Sequence, residues 1–269
     1  MADQSKTALI TGGTSGIGLE LAKLFAADQY NLVLVARSQD ELQQAAQELQ
    51  QQYGVQVTTI AKDLMQRQAP FEVYDEIKGK GLRIDALVND AGQGQYGTFT
   101  TTDLNRELDI VQLNIGATVA LTKFYLQEMV ARNDGKILQL ASLASELPGP
   151  LQSVYHGTKA FVLSFTESIQ EENKDSNVTI TALLPGLTDT DFFNKAHMTQ
   201  AKNVAEGGAM PAADVAKDGY QALMNGDKRV IAGFTNKAQV AMSNVLPDSV
   251  LASMVHKQSA PVDGDESAR

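Results

Sequence analysis

Three side chains near the middle of the chain have the types and spacing of a proton-transfer site: Ser142, Tyr155 and Lys159. Tyr155 and Lys159 stand at i and i+4 in a segment of helical period, so both side chains share one face. A carbonyl oxygen that is to become a hydroxyl needs a general acid within about 3 Å, and a phenol can supply that proton. Run backward, the step needs the phenolate, of which an unperturbed tyrosine holds only about 0.1% at pH 7. Bringing the phenol down to a pKa of about 7 to 8 takes roughly 3 to 4 kcal/mol, and an ammonium one turn away is placed to contribute. A Tyr-x-x-x-Lys spacing is cheap, and Tyr74 with Lys78 repeats it. The serine separates the two: Ser142 stands 13 residues before Tyr155, and the same step back from Tyr74 reaches Ala61. The plain alternative is a surface lysine and a half-buried tyrosine in a helix packed through Val154, Phe161, Phe165 and Ile169.

Reduction of a carbonyl also needs a hydride, and the start of the chain offers a place for its carrier. An apolar strand leads into Thr11-Gly12-Gly13-Thr14-Ser15-Gly16-Ile17-Gly18, and an amphipathic helix follows through Leu19, Leu21, Ala22, Leu24 and Phe25. A tight reversal, a close approach of backbone to a pyrophosphate and a helix packed near its strand each exclude a Cβ. The free N–H groups and about half a positive charge at the helix N-terminus then face the phosphates. The glycine pattern alone is weak, and its position after the first strand gives it weight. The acidic residue that would hold a ribose 2′-OH, about 20 residues on, is missing. The expected position is Ala36, followed by Arg37, whose planar fork suits a 2′-phosphate, and by the helix start at Ser38. NADP(H) is therefore expected in preference to NAD(H), with Arg37 as an ordinary solvated charge the remaining alternative.

These groups must be held by a scaffold, and the pattern predicts one. Apolar β-branched runs at Thr7–Thr11, Asn31–Ala36, Val55–Ala61, Asp85–Asn89, Lys136–Ala141, Val178–Leu184 and Arg229–Gly233 alternate with longer segments of helical period. This is the mark of βαβ units around a parallel sheet, an α/β fold of Rossmann-like doubly wound type in three layers. Ser38 with Glu41 reads as a capping box for a helix over Asp40–Tyr53, and Gly54 as its C-cap. Pro211 opens a helix over Pro211–Met224. One domain is expected over residues 1–257, with a mobile substrate flap at Asp189–Met210 and a disordered tail at Gln258–Arg269.

Composition excludes several other functions. The 269 residues are 43% hydrophobic and 20% charged, which describes a globular chain with a full core. With 22 basic and 32 acidic residues the formal charge is −10, against a nucleic-acid or anionic-membrane partner. Any phosphate must be held locally. The lack of cysteine removes disulfides and thiolate chemistry, and His156, His197 and His256 are too scattered for a histidine-rich metal centre. No stretch nears the ~18 apolar residues of a membrane span, and Met1–Lys6 is polar. A cytoplasmic enzyme is the expectation.

Taken together, the glycine turn, Asn89-Asp90-Ala91-Gly92, Asn114, Ser142, Tyr155-His156-Gly157-Thr158-Lys159 and Pro185-Gly186 resemble the motifs of the short-chain dehydrogenase/reductase family, in order and spacing, over about residues 6–233. The resemblance implies a seven-stranded Rossmann-like sheet, a nicotinamide cofactor and a catalytic set of Asn114, Ser142, Tyr155 and Lys159. It further implies that Lys159 bonds the nicotinamide ribose, that Ser142 holds the substrate oxygen and that Asn114 orders a proton-relaying water. Cofactor contacts are implied for Gly12, Thr14, Ser15, Gly16, Ile17, Gly18, Arg37, Asp63, Leu64, Asn89, Ala91, Gly92, Tyr155, Lys159, Pro185, Gly186, Thr188 and Thr190. Two residues depart from the usual pattern: Asp90 replaces the second Asn of Asn-Asn-Ala-Gly, and Ser15 stands where some NADP-preferring members carry a base. His156, one step along the helix from Tyr155, is given no catalytic role.

The expected activity is interconversion of a carbonyl compound and its alcohol. The substrate is read as a small apolar or aromatic molecule, from Tyr96, Leu143, Leu147, Leu151, Phe192 and Phe193 in the segments expected to build its pocket. A dinucleotide sensor without turnover, and a racemase or lyase on the same scaffold, stay open on the sequence. The resemblance also implies a homodimer or homotetramer through helices around Thr102–Arg132 and Ser153–Asn173. The apolar segment Ala238–His256 is expected either to dock on a partner subunit or to cap the site.

Overall fold

The protein is described as a computed structural model over residues 5–233, 236–237, 240 and 246–262. The sheet strands are β1 (Thr7–Thr11), β2 (Asn31–Ala36), β3 (Val57–Ala61), β4 (Ala86–Asn89), β5 (Gly135–Leu140), β6 (Val178–Leu184) and β9 (Arg229–Ile231). They form one seven-stranded sheet in the order β3-β2-β1-β4-β5-β6-β9, and every neighbouring pair is parallel. Two short strands, β7 (Thr188–Asp189) and β8 (Met210–Pro211), pair separately.

Successive residues of a strand point to opposite faces, and the central strands are apolar on both. Ala8, Ile10, Leu32 and Leu34 pack into one core with helix α1 (Gly16–Ala27), α2 (Gln39–Tyr53) and α9 (Ala212–Asn225) through Phe25, Leu42 and Leu223. Leu9, Val33, Val35 and Leu87 enter the other core with α3 (Ala69–Gly79), α5 (Thr118–Arg132) and α6 (Ser153–Glu172) through Val73, Tyr125 and Ile169. Burial on both faces is what gives parallel strands their continuous apolar runs. The expected three-layer doubly wound fold is the one observed.

Element ends depart from the expectation by one or two residues. Val55 is buried ahead of β3, and Asp85 precedes β4 because its Oδ2 accepts from the Thr7 amide at 2.9 Å. The last strand stops before Gly233, whose φ is 81°. Helix α2 starts as read, with Ser38 Oγ accepting from the Glu41 amide at 3.3 Å, and ends at Gly54 with φ 71°. The Glu41 side chain accepts instead from Thr14 Oγ1 at 3.4 Å. Pro211, expected as the first helical residue, is the extended N-cap of α9.

The segment read as a flap has a core of its own. Between β7 and β8 lie two single turns, α7 (Phe192–Lys195) and α8 (Lys202–Ala205), and Ala196, Met198 and Ala201 are buried against Tyr96, Phe192, Phe193 and Val204. The disordered tail needs correction. Helix α10 (Asp248–Ser259) runs through Gln258, Ser259 is buried, and Pro261 bridges Ala201 while the Val262 amide donates to the Gln200 carbonyl at 3.0 Å. Polar composition missed this because the anchoring comes from backbone bonds. Residues 263–269 of the tail, and residues 238–239 and 241–245 of the apolar segment, lie outside the described residues.

Candidate active site

The chain turns from the β2 side of β1 to the β4 side at the C-terminal ends of β1 and β4, the switch point where open α/β sheets bind ligands. A cleft of about 780 Å³ opens there. One hydroxyl joins its two banks: Thr11 Oγ1 accepts from the amides of Asp90 and Ala91, both at 3.1 Å. The glycine turn follows at once, with the Gly12 amide donating to the Val35 carbonyl at 2.8 Å.

The turn is built as a cradle that side chains would fill. A Cβ at Gly12 would stand 2.9 Å from Asp90 Oδ2, one at Gly16 2.9 Å from Thr190 Cγ2, and one at Gly18 2.5 Å from the Gly12 carbonyl oxygen. Gly12 and Gly16 also have φ of 74° and 55°, in the left-handed region that favours glycine. Ser15, the N-cap of α1, makes no side-chain cap bond, which leaves first-turn amides for a ligand. The cradle fits a dinucleotide pyrophosphate.

Most of the residues expected at a cofactor line this cleft: Gly12, Thr14, Ser15, Gly16 and Ile17 from the turn, Arg37, Asp63 and Leu64 after β2 and β3, Ala91 and Gly92 after β4, and Pro185, Gly186, Thr188 and Thr190 after β6. Two do not. Asn89 is buried with its amide donating to Thr122 Oγ1 and Gln139 Oε1, both at 3.0 Å, so it ties sheet to helix. Gly18 lies behind the cradle, where its close approach to Gly12 and Asp90 holds the turn in shape.

Ser142 and Tyr155 reach the cleft from different elements. Ser142 caps the short turn Leu143–Glu146 after β5, with the Ala144 amide donating to its Oγ at 3.1 Å. The Ser145 hydroxyl of that turn donates to the Lys159 carbonyl at 2.8 Å, which locks the turn onto α6. Tyr155, on the first turns of α6, stands beside the Ser142 side chain, close enough for Ser142 to act on its pKa. Lys159 lies one turn on, with Nζ 5.9 Å from the Tyr155 ring centroid and donating to the Leu140 carbonyl at 2.7 Å.

Burial pushes the Tyr155 phenol up to about 12, with the neighbouring Ser142 side chain pulling the other way, so the chain alone holds it as an acid. Lys159 turns its ammonium to the Leu140 carbonyl. That ammonium is itself brought down to about 8 by burial, opposed by the Asp90 carboxylate. Asp90 is pushed up to about 7 by burial, against the Lys159 charge and a hydrogen bond from the Gly18 backbone.

Asn114 is buried behind the cleft wall. It sits in a π-helical segment, Gln112–Ala117, between α4 (Leu104–Val111) and α5, a distortion found mainly at functional sites. Its Oδ1 accepts from the Gln93 amide at 3.0 Å, and its Nδ2 donates to the Gln93 carbonyl and Thr158 Oγ1, both at 2.9 Å. The side chain is thus committed to fixing the loop after β4. His156 accepts no catalytic geometry either: its Nδ1 meets the Leu147 carbonyl at 2.8 Å and its ring fills the space over Gly149.

Lys62, paired with Glu72 at 2.6 Å, and Gln258 line the cleft without a sequence signal, and Gln93, Gln152, Asn203 and Val255 line it from the segments expected to build or cap the pocket. Val255 and Gln258 belong to α10, so the described end of the apolar C-terminal segment caps the cleft. Tyr96 fastens it, its hydroxyl donating to the Ser259 carbonyl at 2.5 Å. Among the described residues no cluster of three His, Cys, Asp or Glu could hold a metal, and no helix is long and apolar enough to cross a membrane.

Known proteins share this arrangement. Residues 6–201 match the sequence model of short chain dehydrogenase. Over 205 residues the chain is 33% identical to very-long-chain 3-oxoacyl-CoA reductase of Mus musculus, covering 74% of this chain and 64% of that protein. The chain spans less than two thirds of the length of such relatives. The solved short-chain dehydrogenase from Sphingobium yanoikuyae in complex with NADPH is similar at TM-score 0.79 and 26% identity, over 91% of this chain and 97% of that one. A short-chain dehydrogenase/reductase from Burkholderia phymatum in complex with NAD shares the fold at TM-score 0.80 and 21% identity, over 88% and 92% of the two chains. The chain therefore belongs to the short-chain dehydrogenase family.

Proposed function

We propose that the chain is an NADPH-dependent reductase of carbonyl compounds, with Tyr155 as the general acid. The observation that carries this reading is the juxtaposition of Ser142 and Tyr155 on the wall of the cleft that begins at the glycine turn. When bound, the nicotinamide supplies a hydride to the carbonyl carbon. The Tyr155 hydroxyl donates its proton to the carbonyl oxygen, and Ser142 Oγ, within reach of the same oxygen, orients it. A phenol held up to about 12 stays protonated through the physiological range, which suits the reductive direction. Lys159, buried one turn away, carries the positive charge that stabilises the phenolate left behind. Phe192 and Phe193 exclude water above the phenol, the Phe192 ring lying 5.1 Å from the Tyr155 ring.

Arg37 and Lys62 at the adenosine end favour a 2′-phosphate, with the N-terminus of α2 at Ser38. The Glu41 carboxylate in the same lining works against it. Leu143, Leu147, Phe192, Phe193, Met198 and Val255 favour an apolar substrate, and the relatives named 3-oxoacyl-CoA reductases point to an acyl chain. Exposed Leu104 and Leu108 on α4 and Phe161 on α6 favour a homo-oligomer through these helices. A panel of ketones, aldehydes and 3-oxo esters assayed with NADPH and NADH side by side tests the reading: faster turnover with NADPH is expected. Cofactor binding without turnover across the panel returns the chain to a sensor role.

A further inference from the structure

Two segments far apart in sequence line the substrate end of the cleft: the flap, through Phe192, Phe193 and Met198, and helix α10, through Val255, Gln258 and Ser259. They are stitched to each other edge to edge. The Lys202 amide donates to the Ala260 carbonyl at 2.9 Å, the Val262 amide donates to the Gln200 carbonyl at 3.0 Å, and Ala201 and Pro261 pair antiparallel between these bonds. The buried residues of the flap, Ala196, Met198 and Ala201, form a small core apart from those on the two faces of the sheet. The flap returns to β8 through Gly207 and Gly208, with φ of 83° and 95° and open space where each Cβ would stand, a pair free to absorb a change of backbone angle. Tyr96 ties both segments to the body of the protein. Its amide donates to the Ala196 carbonyl of the flap at 2.9 Å and its hydroxyl to the Ser259 carbonyl of α10 at 2.5 Å. The next residue, Gly97, is itself anchored, its amide donating to the Leu151 carbonyl at 2.9 Å just before α6.

We propose that the flap and helix α10 are one lid, with Gly207 and Gly208 as the hinge of the flap and the Tyr96 hydroxyl as the latch that lets go of Ser259 when the substrate end of the cleft opens. The bonds between the two segments are paired backbone, which a lid keeps as it moves. The latch is a rotatable side chain on a single carbonyl, and its bond exchanges for one to water at little net cost. Closed, the lid sets Phe192 over the Tyr155 ring, at 5.1 Å between centroids, and shuts water out from above the phenol. That a substrate waits beneath it rests on the carbonyl-reductase reading above; the coupling of the two segments does not.

The chain has no cysteine, so one thiol placed on the cleft wall reports opening. Leu143 is buried and lines the cleft. The full chain carrying Leu143→Cys is reacted with dithiobis(nitrobenzoic acid), an aromatic reagent, with and without Tyr96→Phe, which keeps the ring in the core of the flap and removes only the hydroxyl. Labelling is expected to be roughly fivefold faster without the hydroxyl, the order set by one hydrogen bond. Amide hydrogen exchange over residues 190–206 and 248–262 is expected to quicken together by a similar factor, with β1, β4 and β5 as protected as before. Unchanged labelling or exchange overturns the latch, and quickening confined to one of the two segments overturns the single lid. Loss of protection in the sheet as well makes Tyr96 a residue of the fold and overturns the proposal too. None of these readouts needs turnover, so a failure of the reductase reading shows separately, in the carbonyl panel.

Discussion

The Asp90 carboxylate lies where a side chain on Gly18 would stand: a Cβ there would come within 2.5 Å of Asp90 Oδ2, and the Gly18 backbone hydrogen-bonds the carboxylate. An acid thus sits against the anion cradle, on the side facing Lys159. Burial raises its pKa, and its charged form in turn raises that of Lys159.

Asp90→Asn should therefore shift the pH profile. Lys159 is cationic below its pKa and loses that charge as pH rises through about 8, so reduction by the unaltered chain should decline on that alkaline limb. Without the carboxylate the ammonium loses its supporting charge and its pKa falls further, so the limb should move to lower pH. Profiles of kcat/KM between pH 5 and 10 check this, and superimposable limbs for the two proteins would refute the coupling.

Gly18→Ala and Gly54→Ala separate a ligand cradle from a helix cap. At Gly18 the new Cβ meets the Gly12 carbonyl and Asp90, so dinucleotide affinity should fall by roughly tenfold or more. At Gly54, with φ 71° and nothing within 4 Å, the cost is backbone strain of about 1 kcal/mol in stability, and cofactor binding should not change. Calorimetric titration and chemical denaturation of both variants read the two effects. Equal losses of affinity would mean that the turn is not a cradle.

Cofactor choice depends on Arg37. Arg37→Ala should raise KM for NADPH by roughly tenfold, the order expected for a charge-assisted contact to phosphate, and leave KM for NADH within about twofold. If both values rise together, Arg37 is an ordinary solvated charge and the 2′-phosphate lies elsewhere.

Sheet and turn were legible because their signals are local. β1, β2 and β6 were located to the residue by continuous apolar runs, and the cradle by glycines placed directly after β1. Ser142, Tyr155 and Lys159 were legible because spacing along one helix and one loop fixes them. What could not be read depended on contacts across the fold. The amide of Asn89 is consumed by Thr122 and Gln139, and Asn114 is drawn behind the wall by Gln93 and Thr158. The order at Gln258–Val262 comes from backbone bonds to residues some 60 positions earlier, about Gln200 and Ala201, which polar composition does not record.

The account turns on the Tyr155 hydroxyl as the proton donor, and Tyr155→Phe removes that one atom from a ring packed by Phe192 and Gly94. The most direct measurement is kcat of this variant with a reducible ketone beside its dissociation constant for NADPH. We expect kcat to fall by roughly a hundredfold to ten-thousandfold, with the dissociation constant within about threefold of the unaltered value. A variant that keeps more than about a tenth of its turnover, or that loses NADPH binding in step with activity, would contradict the role assigned to the phenol.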